Sequence, residues 1–425
     1  MAAERLLEID EIVTSGLCIG CGLCRSLAGA DRLRMVTTPE GRERPVVRKP
    51  LSRAVLAKIN AVCPGTRIAG ARPETLPEDV ETDLIWGPVA PSTLTIAHAG
   101  DPDVRHRGAS GGVLTALGQY LLRSGEVDLV LHVKAAPEAQ LRSVATVSET
   151  PEAVLEAASS RYGPAAVLED VAAVLARGRP LAVIAKPCDI GAIRRLSEID
   201  ESAGRLVRYC LTLACGGASD LGKSLDVLAR LNLREADVRL FRYRGYGNPG
   251  PTRIETRDGR SFELTYLEMW GDEAGWRIQP RCKICPDAVG EAADVVSADC
   301  WPGGAPDGED EGFNAVFART RRGARLFERA VADGAVTVVR PADTRQLSLY
   351  QPHQVRRKRA VWARLEGMRD AGMQVPEVER LRIAEVAATN DDGVNERERR
   401  GARQRARGGR LGEPPAVKGR RKAWS

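Results

Sequence analysis

The chain has 425 residues, 43% of them hydrophobic and 28% charged, with ten cysteines and a formal net charge of +6. That length exceeds what a single hydrophobic core fills, so two or three globular units are expected. The start, MAAERLLEIDEIV, is too acidic and too poor in apolar residues for a signal peptide, and no run approaches the ~18 apolar residues of a membrane helix; the expectation is a cytoplasmic protein without membrane insertion.

In a reducing compartment, cysteines clustered at short spacings point to metal or redox chemistry before disulfides. In chain order the first such feature is CIGCGLC, residues 18–24. Three thiols at intervals of three suit three corners of a 4Fe-4S cluster. In a two-cluster ferredoxin the next Cys follows four residues after the third, with Pro behind it; here that position is Ala28, followed by Gly29. A more distant Cys must close the set, and Cys63 with Pro64 behind it supplies one. The ligand set is thus Cys18, Cys21, Cys24 and Cys63, within a ferredoxin-like 4Fe-4S domain placed at 1–72. Structural zinc is the competing reading, although zinc favours two separated C-x2-C pairs. GARPETLPEDVETD then reads as an acidic linker, placed at 73–90.

From 91 to 345 strand-like and helix-like runs alternate: STLTIAHA, ASGGVLTALGQYLLRS, VDLVLHV, helices around Leu155 and Val171, then PLAVIA, IGAIRRL and RLVRYCLTLA. That alternation predicts an α/β fold with a parallel core. RIETRDGRSFELTYLEM holds two alternating runs about Asp258 and Gly259, a hairpin signal. In RHRGASGGVLTAL, Gly108, Ser110, Gly111 and Gly112 stand before an apolar helix, where backbone amides suit a phosphate. Arg105 and Arg107 add positive charge, and His106 reads as a surface residue. The loop matches neither G-x-G-x-x-G nor a P-loop, and Gly-Gly before a helix also occurs merely as a tight turn, so taken alone it is weak evidence.

Cys282 and Cys285 form a C-x2-C pair with Pro behind it. Of the remaining thiols, Cys188 and Cys215 each follow a predicted strand, at the carboxyl ends where α/β sheets place ligands. The preferred second set is Cys188, Cys215, Cys282 and Cys285, with zinc or free core thiols as alternatives. Cys210 and Cys300 are left over, and Cys210, inside a strand run, reads as a buried small hydrophobe. HQVRRKRAVWARLEGMR predicts a basic amphipathic helix within a helical segment at 346–390. Eleven Lys or Arg against three Glu fall in 396–425, which leaves the rest of the chain slightly acidic. The stretch 391–425 is therefore expected to be a disordered basic tail, a solvated extension with at most a weak nucleic-acid or anionic contact.

CIGCGLC with the distant CPG, RHRGASGG, SSRYGPA, KPCDIGAIRRL, LACGG, and CKICPD followed by ADVVSAD occur in an order that resembles the coenzyme F420 hydrogenase/dehydrogenase beta-subunit family, over residues 10–370. That family also includes ferredoxin-dependent chlorophyll-pathway reductases. The resemblance implies an α/β FAD-binding catalytic domain carrying a second 4Fe-4S cluster at 91–345, and hence FAD and two 4Fe-4S clusters as cofactors. By resemblance, the loop Gly108, Ala109, Ser110, Gly111 and Gly112, with Arg107 before it, contacts FAD, and Cys188, Cys215, Cys282 and Cys285 carry the second cluster. Asp299 stands where the family has Gly-Asp near the flavin, but Ala298 precedes it here. Lys186, Arg161 and Tyr162 are candidates for holding flavin or substrate. The implied activity is electron exchange between a one-electron donor, ferredoxin or a partner subunit, and a small two-electron substrate such as the deazaflavin coenzyme F420. A ferredoxin-dependent reductase of another organic substrate, a non-catalytic electron-transfer module, and a zinc-stabilised RNA-associated protein are the alternatives. No residue is assigned as general acid or base.

Overall fold

The computed structural model describes residues 5–272 and 274–416. Its centre is an eight-stranded sheet in the spatial order Val336–Pro341, Thr95–Ala99, Asn314–Ala318, Val295–Asp299, Val207–Leu213, Leu181–Ile184, Leu129–Ala136, Ala139–Ser148. The four strands from Val295–Asp299 to Leu129–Ala136 are parallel neighbours, and every outer pairing is antiparallel. The predicted parallel core is thus the middle of a mixed sheet. The edge at Ala139–Ser148 has to be antiparallel, because only Pro137 and Glu138 separate it from Leu129–Ala136, too few residues for a crossover. The central strands are apolar on both sides because both faces are covered. Leu129, Leu131, Leu181 and Val183 pack into one core and Val130, Ala182 and Leu211 into another.

Within this sheet His132 is buried and its Nε2 lies 2.8 Å from Ser148 Oγ. Burial first, and the Lys134 charge second, lower its pKa to about 4. As pH falls from ~6.5 toward 4 the unfolded chain binds a proton that the folded chain refuses, so stability declines across that window, by on the order of 3 kcal/mol. Above ~6.5 the residue adds no pH dependence. Urea midpoints measured against pH are expected to show this slope, and His132→Gln is expected to flatten it.

The first 72 residues contribute the helices Ile9–Thr14, Leu23–Ala28 and Arg53–Val62, an antiparallel pair Leu33–Thr37 with Glu43–Val47, and the strand Arg67–Ala69. That last strand pairs in parallel with Glu377–Glu379, so the end of the chain returns to its beginning. The stretch read as a linker departs from expectation near its end. Trp86 is fully buried, stacks edge-on to Phe317 at 6.3 Å and donates from Nε1 to Ser348 Oγ at 2.9 Å. A large aromatic in an acidic, proline-containing stretch thus acts as an anchor.

The helix Pro352–Arg369 is no simple amphipathic surface element, since Gln354, Lys358, Ala360, Val361, Ala363, Leu365 and Met368 are buried around most of its circumference. The expected disorder beyond it does not hold where the chain is described. Val394–Arg407 is a helix, with Ala402 buried close to Gly367. Arg399 forms a two-pronged pair with Asp370 at 2.6 and 2.8 Å, and Arg364 pairs with Glu398 at 2.8 Å. These pairs tie the two helices together, which composition alone does not reveal. The remainder of the predicted tail, 417–425, lies outside the described residues.

Candidate functional site

Cys18, Cys21, Cys24 and Cys63 line one chamber together with Ile9, Ile12, Ile19, Met35, Ile59 and Val62. The first three lie in and around the turn before Leu23–Ala28, and Cys63 caps Arg53–Val62. Burial is the first cause pushing all four thiols up, Cys18 to about 11 and Cys21 and Cys24 well above the ordinary thiol range. Neighbouring thiols of the set add to this at Cys18, Cys21 and Cys24. Such thiols ionise when a cationic group neutralises them, because a coordinated thiol loses its proton outright. Two sulfurs already accept backbone hydrogen bonds at 3.4 Å, Cys18 from Gly20 and Cys63 from Gly65. No disulfide occurs among the described cysteines.

The second set sits at the carboxyl ends of the parallel strands. Cys188 lies in the first turn of Pro187–Ile199, after Leu181–Ile184; Cys215 follows Val207–Leu213; Cys282 lies in the turn Pro280–Ile284 and Cys285 closes it. Burial raises Cys188 and takes Cys215 to about 12; Cys215 and Cys282 act on Cys188, and Cys282 and Cys285 on Cys215. Cys282 Sγ accepts from the Ala218 amide at 3.3 Å. Gln354 and Arg357 fix the Cys215 carbonyl at 3.0 and 2.8 Å. Among the described residues no three Cys, His, Asp or Glu side chains converge in the manner of a single-ion site. The first four thiols ring a chamber, an arrangement that could hold a polynuclear cluster. Cys210 is fully buried inside its strand, and no other cysteine acts on its thiol.

The glycine-rich loop precedes the helix Val113–Arg123 and lies against the strands Thr95–Ala99 and Asn314–Ala318. The Ala99 amide donates to Gly111 O at 2.7 Å, and Asn314 Oδ1 takes the Val113 amide at 3.3 Å. Gly112 starts the helix with a φ of +73°, which glycine adopts without strain. No acceptor among the described residues takes the amides of Ala109, Ser110, Gly111 or Gly112. Unsatisfied amides at the start of an eleven-residue helix form a cradle suited to a phosphate.

Arg244, absent from the sequence-based candidates, draws this cradle together. Its guanidinium binds Asp299 Oδ2 at 3.0 Å and the Tyr162 hydroxyl at 3.2 Å, and donates to the Ala109 carbonyl. It lies 4.5 Å from the Trp301 ring centre, while Tyr162 packs at a tilt against Trp270 with ring centres 4.3 Å apart. Burial alone would lower the Arg244 pKa, but Asp299 and Tyr162 hold it up, so the group is a permanent cation. The indole N–H groups of Trp270 and Trp301 are buried without a protein partner. Free amides, unpartnered indoles and a group of packed aromatics around one cation fit a ring system carrying phosphate.

The structure thus brings Ala109, Tyr162 and Asp299 together, with Gly108 to Gly112 in the same loop. It places three other candidates elsewhere. Arg107 turns back to Asp103 at 3.0 Å. Arg161 spends its donors on Ser143 Oγ and on the carbonyls of Gln140, Arg142 and Phe241, and so braces the backbone. Lys186 pairs with Asp189 at 2.6 Å beside Cys188 and Cys215, nearer the second cysteine set than the loop. Ser110 donates from Oγ to the Phe313 carbonyl at 2.6 Å, fixing the loop. Gln351 joins the two regions, donating to the Asp299 carbonyl at 2.9 Å one turn before Gln354 reaches Cys215. Sequence offered only a faint sign of Arg244: a cation between aromatics in FRYRGYGNPG.

Two family profiles match this chain, both describing the beta subunit of coenzyme F420 hydrogenase/dehydrogenase. The profile of its N-terminal part covers residues 94–171, and the profile of its C-terminal part covers 178–344. The F420-dependent formate dehydrogenase subunit beta of Methanocaldococcus jannaschii is 27% identical over 251 residues, 58% of this chain and 62% of the relative. The coenzyme F420-dependent sulfite reductase of the same organism is 24% identical over 365 residues, 80% of this chain and 50% of the relative. This chain therefore spans about three fifths of the formate dehydrogenase relative and half of the reductase. A chain of the F420-reducing NiFe hydrogenase complex from Methanosarcina barkeri shares the fold, with a TM-score of 0.51 at 21% identity over 67% of this chain and 95% of that one. The first cysteine set and residues 345–416 fall outside both profiles.

Proposed function

The chain belongs to the coenzyme F420 hydrogenase/dehydrogenase beta-subunit family, and from that premise we propose that it is an iron-sulfur flavoprotein oxidoreductase. It passes electrons between a one-electron donor and a two-electron organic substrate of the deazaflavin type. The donor is a ferredoxin or a redox partner subunit. The observation that carries the reading is a chamber lined by four cysteines, a second set of four cysteines after the parallel strands, and an amide cradle drawn in by Arg244. In this reading Cys18, Cys21, Cys24 and Cys63 hold one 4Fe-4S cluster in a small amino-terminal unit. Cys188, Cys215, Cys282 and Cys285 hold a second, and the loop 108–112 with Tyr162, Arg244 and Asp299 holds FAD.

Clusters exchange single electrons and a flavin couples them to hydride chemistry, which is what these groups supply when bound. The chain's own residues do the positioning. The amides of 109–112 take phosphate oxygens, Arg244 fixes the loop against Asp299, and Gln351 and Gln354 hold the cradle and the Cys215 loop in register. The apolar walls of the first chamber keep water from its thiolates, and the amides on Cys18, Cys63 and Cys282 favour added negative charge there. Alignment with half of a longer F420-dependent reductase supports a chain that works beside a further redox module.

The test is anaerobic mixing of the reconstituted, flavin-loaded chain with reduced coenzyme F420. Bleaching of the flavin band, followed by cluster signals in electron paramagnetic resonance, is the expected result. A flavin that dithionite bleaches and reduced F420 does not would assign the chain to another organic substrate.

A further inference from the structure

Resting on the reading of both tetrads as 4Fe-4S sites, we propose that Arg44, locked by Glu413 from the end of the chain, is a shared counter-cation of the two cysteine sets and sets the potential at which each accepts an electron. Arg44 is fully buried. Its Nε and one terminal nitrogen bind the Glu413 carboxylate at 2.8 and 2.7 Å, and further contacts reach Gln279 Oε1 at 2.8 Å and the Glu43 carbonyl at 2.7 Å. The guanidinium is therefore fixed in place. Gln279, which it holds, accepts the Cys282 amide on its carbonyl at 3.0 Å, and the Glu43 carbonyl it also holds lies against Gly20, between Cys18 and Cys21, so the guanidinium is tied to the backbone of both sets.

A second guanidinium reinforces the partition. Arg281, next to Cys282 in the chain, donates twice to the Pro64 carbonyl, at 3.2 and 2.9 Å, immediately after Cys63. It acts on Cys63 and on Cys282. Two cations are thus each tied to both tetrads. A buried ion pair is weak support for stability, since apolar replacements of similar volume are often as good. Between two sets of thiolates the same pair has an electrostatic use, because each added electron is a further buried negative charge that a nearby cation stabilises.

Glu413 arrives by a strap from the end of the chain. Leu411 is buried in one core with Ile12, Leu17 and Cys18, and the Glu413 amide donates to the Thr14 carbonyl at 3.0 Å. Gly16, at a φ of +70°, has no side chain to collide with the Leu411 carbonyl, which is what lets the strap lie against the turn before Cys18. Glu413 also reaches Arg42 at 3.4 Å, so its carboxylate is held by two arginines of the first unit. Arg44 and Glu413 both lie outside the spans of the two family profiles.

The pair predicts shifts of opposite sign, which a merely structural role does not. In the full reconstituted chain, Arg44→Met removes a cation and lowers the midpoint potentials, whereas Glu413→Gln removes an anion and raises them. Each is expected to change the one-electron equilibrium of at least one cluster tenfold or more, a shift of about 59 mV. The double variant returns toward wild type, and Arg44→Lys, which keeps the charge, moves less than Arg44→Met. Potentials are read by redox titration followed by electron paramagnetic resonance, with iron counted in each sample. Opposite shifts at full iron content support the proposal. Unmoved potentials at full iron content, or shifts of the same sign, overturn it and leave the iron-sulfur reading standing. If Arg44→Met does not fold, Glu413→Gln and Arg44→Lys carry the test on the same terms. A wild-type chain that takes up no iron overturns both the proposal and the reading on which it rests.

Discussion

Cys282→Ser is expected to leave the anaerobically reconstituted chain with about four irons in place of about eight, while flavin and the first cluster are retained. Cys282 is central to its set: it acts on Cys188 and Cys215, is followed at short range by Cys285, and its sulfur holds the Ala218 amide. A hydroxyl is a shorter and harder donor than a thiolate and a poor substitute toward iron in a cluster. The right control is Cys210→Ser, a fully buried cysteine outside both sets, which is expected to keep all the iron. Iron and sulfide analysis on both variants checks the prediction. Equal iron in Cys282→Ser and wild type would remove Cys282 from the ligand set.

Arg244→Met is expected to weaken flavin retention about 10²-fold and to destabilise the fold by about 3 kcal/mol. The first effect follows from releasing the Ala109 carbonyl and the Tyr162 hydroxyl together, since truncating one partner of a buried charged network costs about 2–5 kcal/mol in binding. The second follows from leaving the Asp299 carboxylate without its cation. Asp299 is partly open to solvent, which keeps the stability cost at the low end. Flavin content after gel filtration and a urea midpoint separate the two effects. Arg244→Lys keeps the charge but loses the planar fork, so it should recover much of the stability and little of the flavin. Full flavin retention in Arg244→Met would show that the cradle lies elsewhere.

What the sequence makes legible is set by local chemistry. C-x2-C-x2-C leaves a compact triplet of thiols that needs a fourth, and Cys63 is brought to it by the helix Arg53–Val62. Cys188 and Cys215 are readable because the strands before them are apolar runs whose ends are easily placed. Convergence over long distances in the chain is not readable. Arg244 meets Ala109 across 135 residues and Arg44 meets Glu413 across 369, and no periodicity or spacing encodes such a pairing. Arg161 is the converse case: a cation in a suggestive motif whose hydrogen bonds go to Ser143 Oγ and to the carbonyls of Gln140, Arg142 and Phe241.

The end of the chain departs from its composition for a related reason. Arg-rich composition argues for disorder only while the charges lack partners. Here Arg399 meets Asp370, and Ala402 packs near Gly367, so the helix Val394–Arg407 docks on Pro352–Arg369. The antiparallel edges of the sheet are hidden in the same way, because an alternation of strands and helices does not report which strands are joined by tight turns.

The most direct measurement is the joint quantification of iron, acid-labile sulfide, zinc and flavin in the chain purified without oxygen. About eight irons, about eight sulfides and about one FAD per chain is the predicted result. Zinc in place of iron, with no flavin bound, would contradict the account and return the two cysteine tetrads to a structural role.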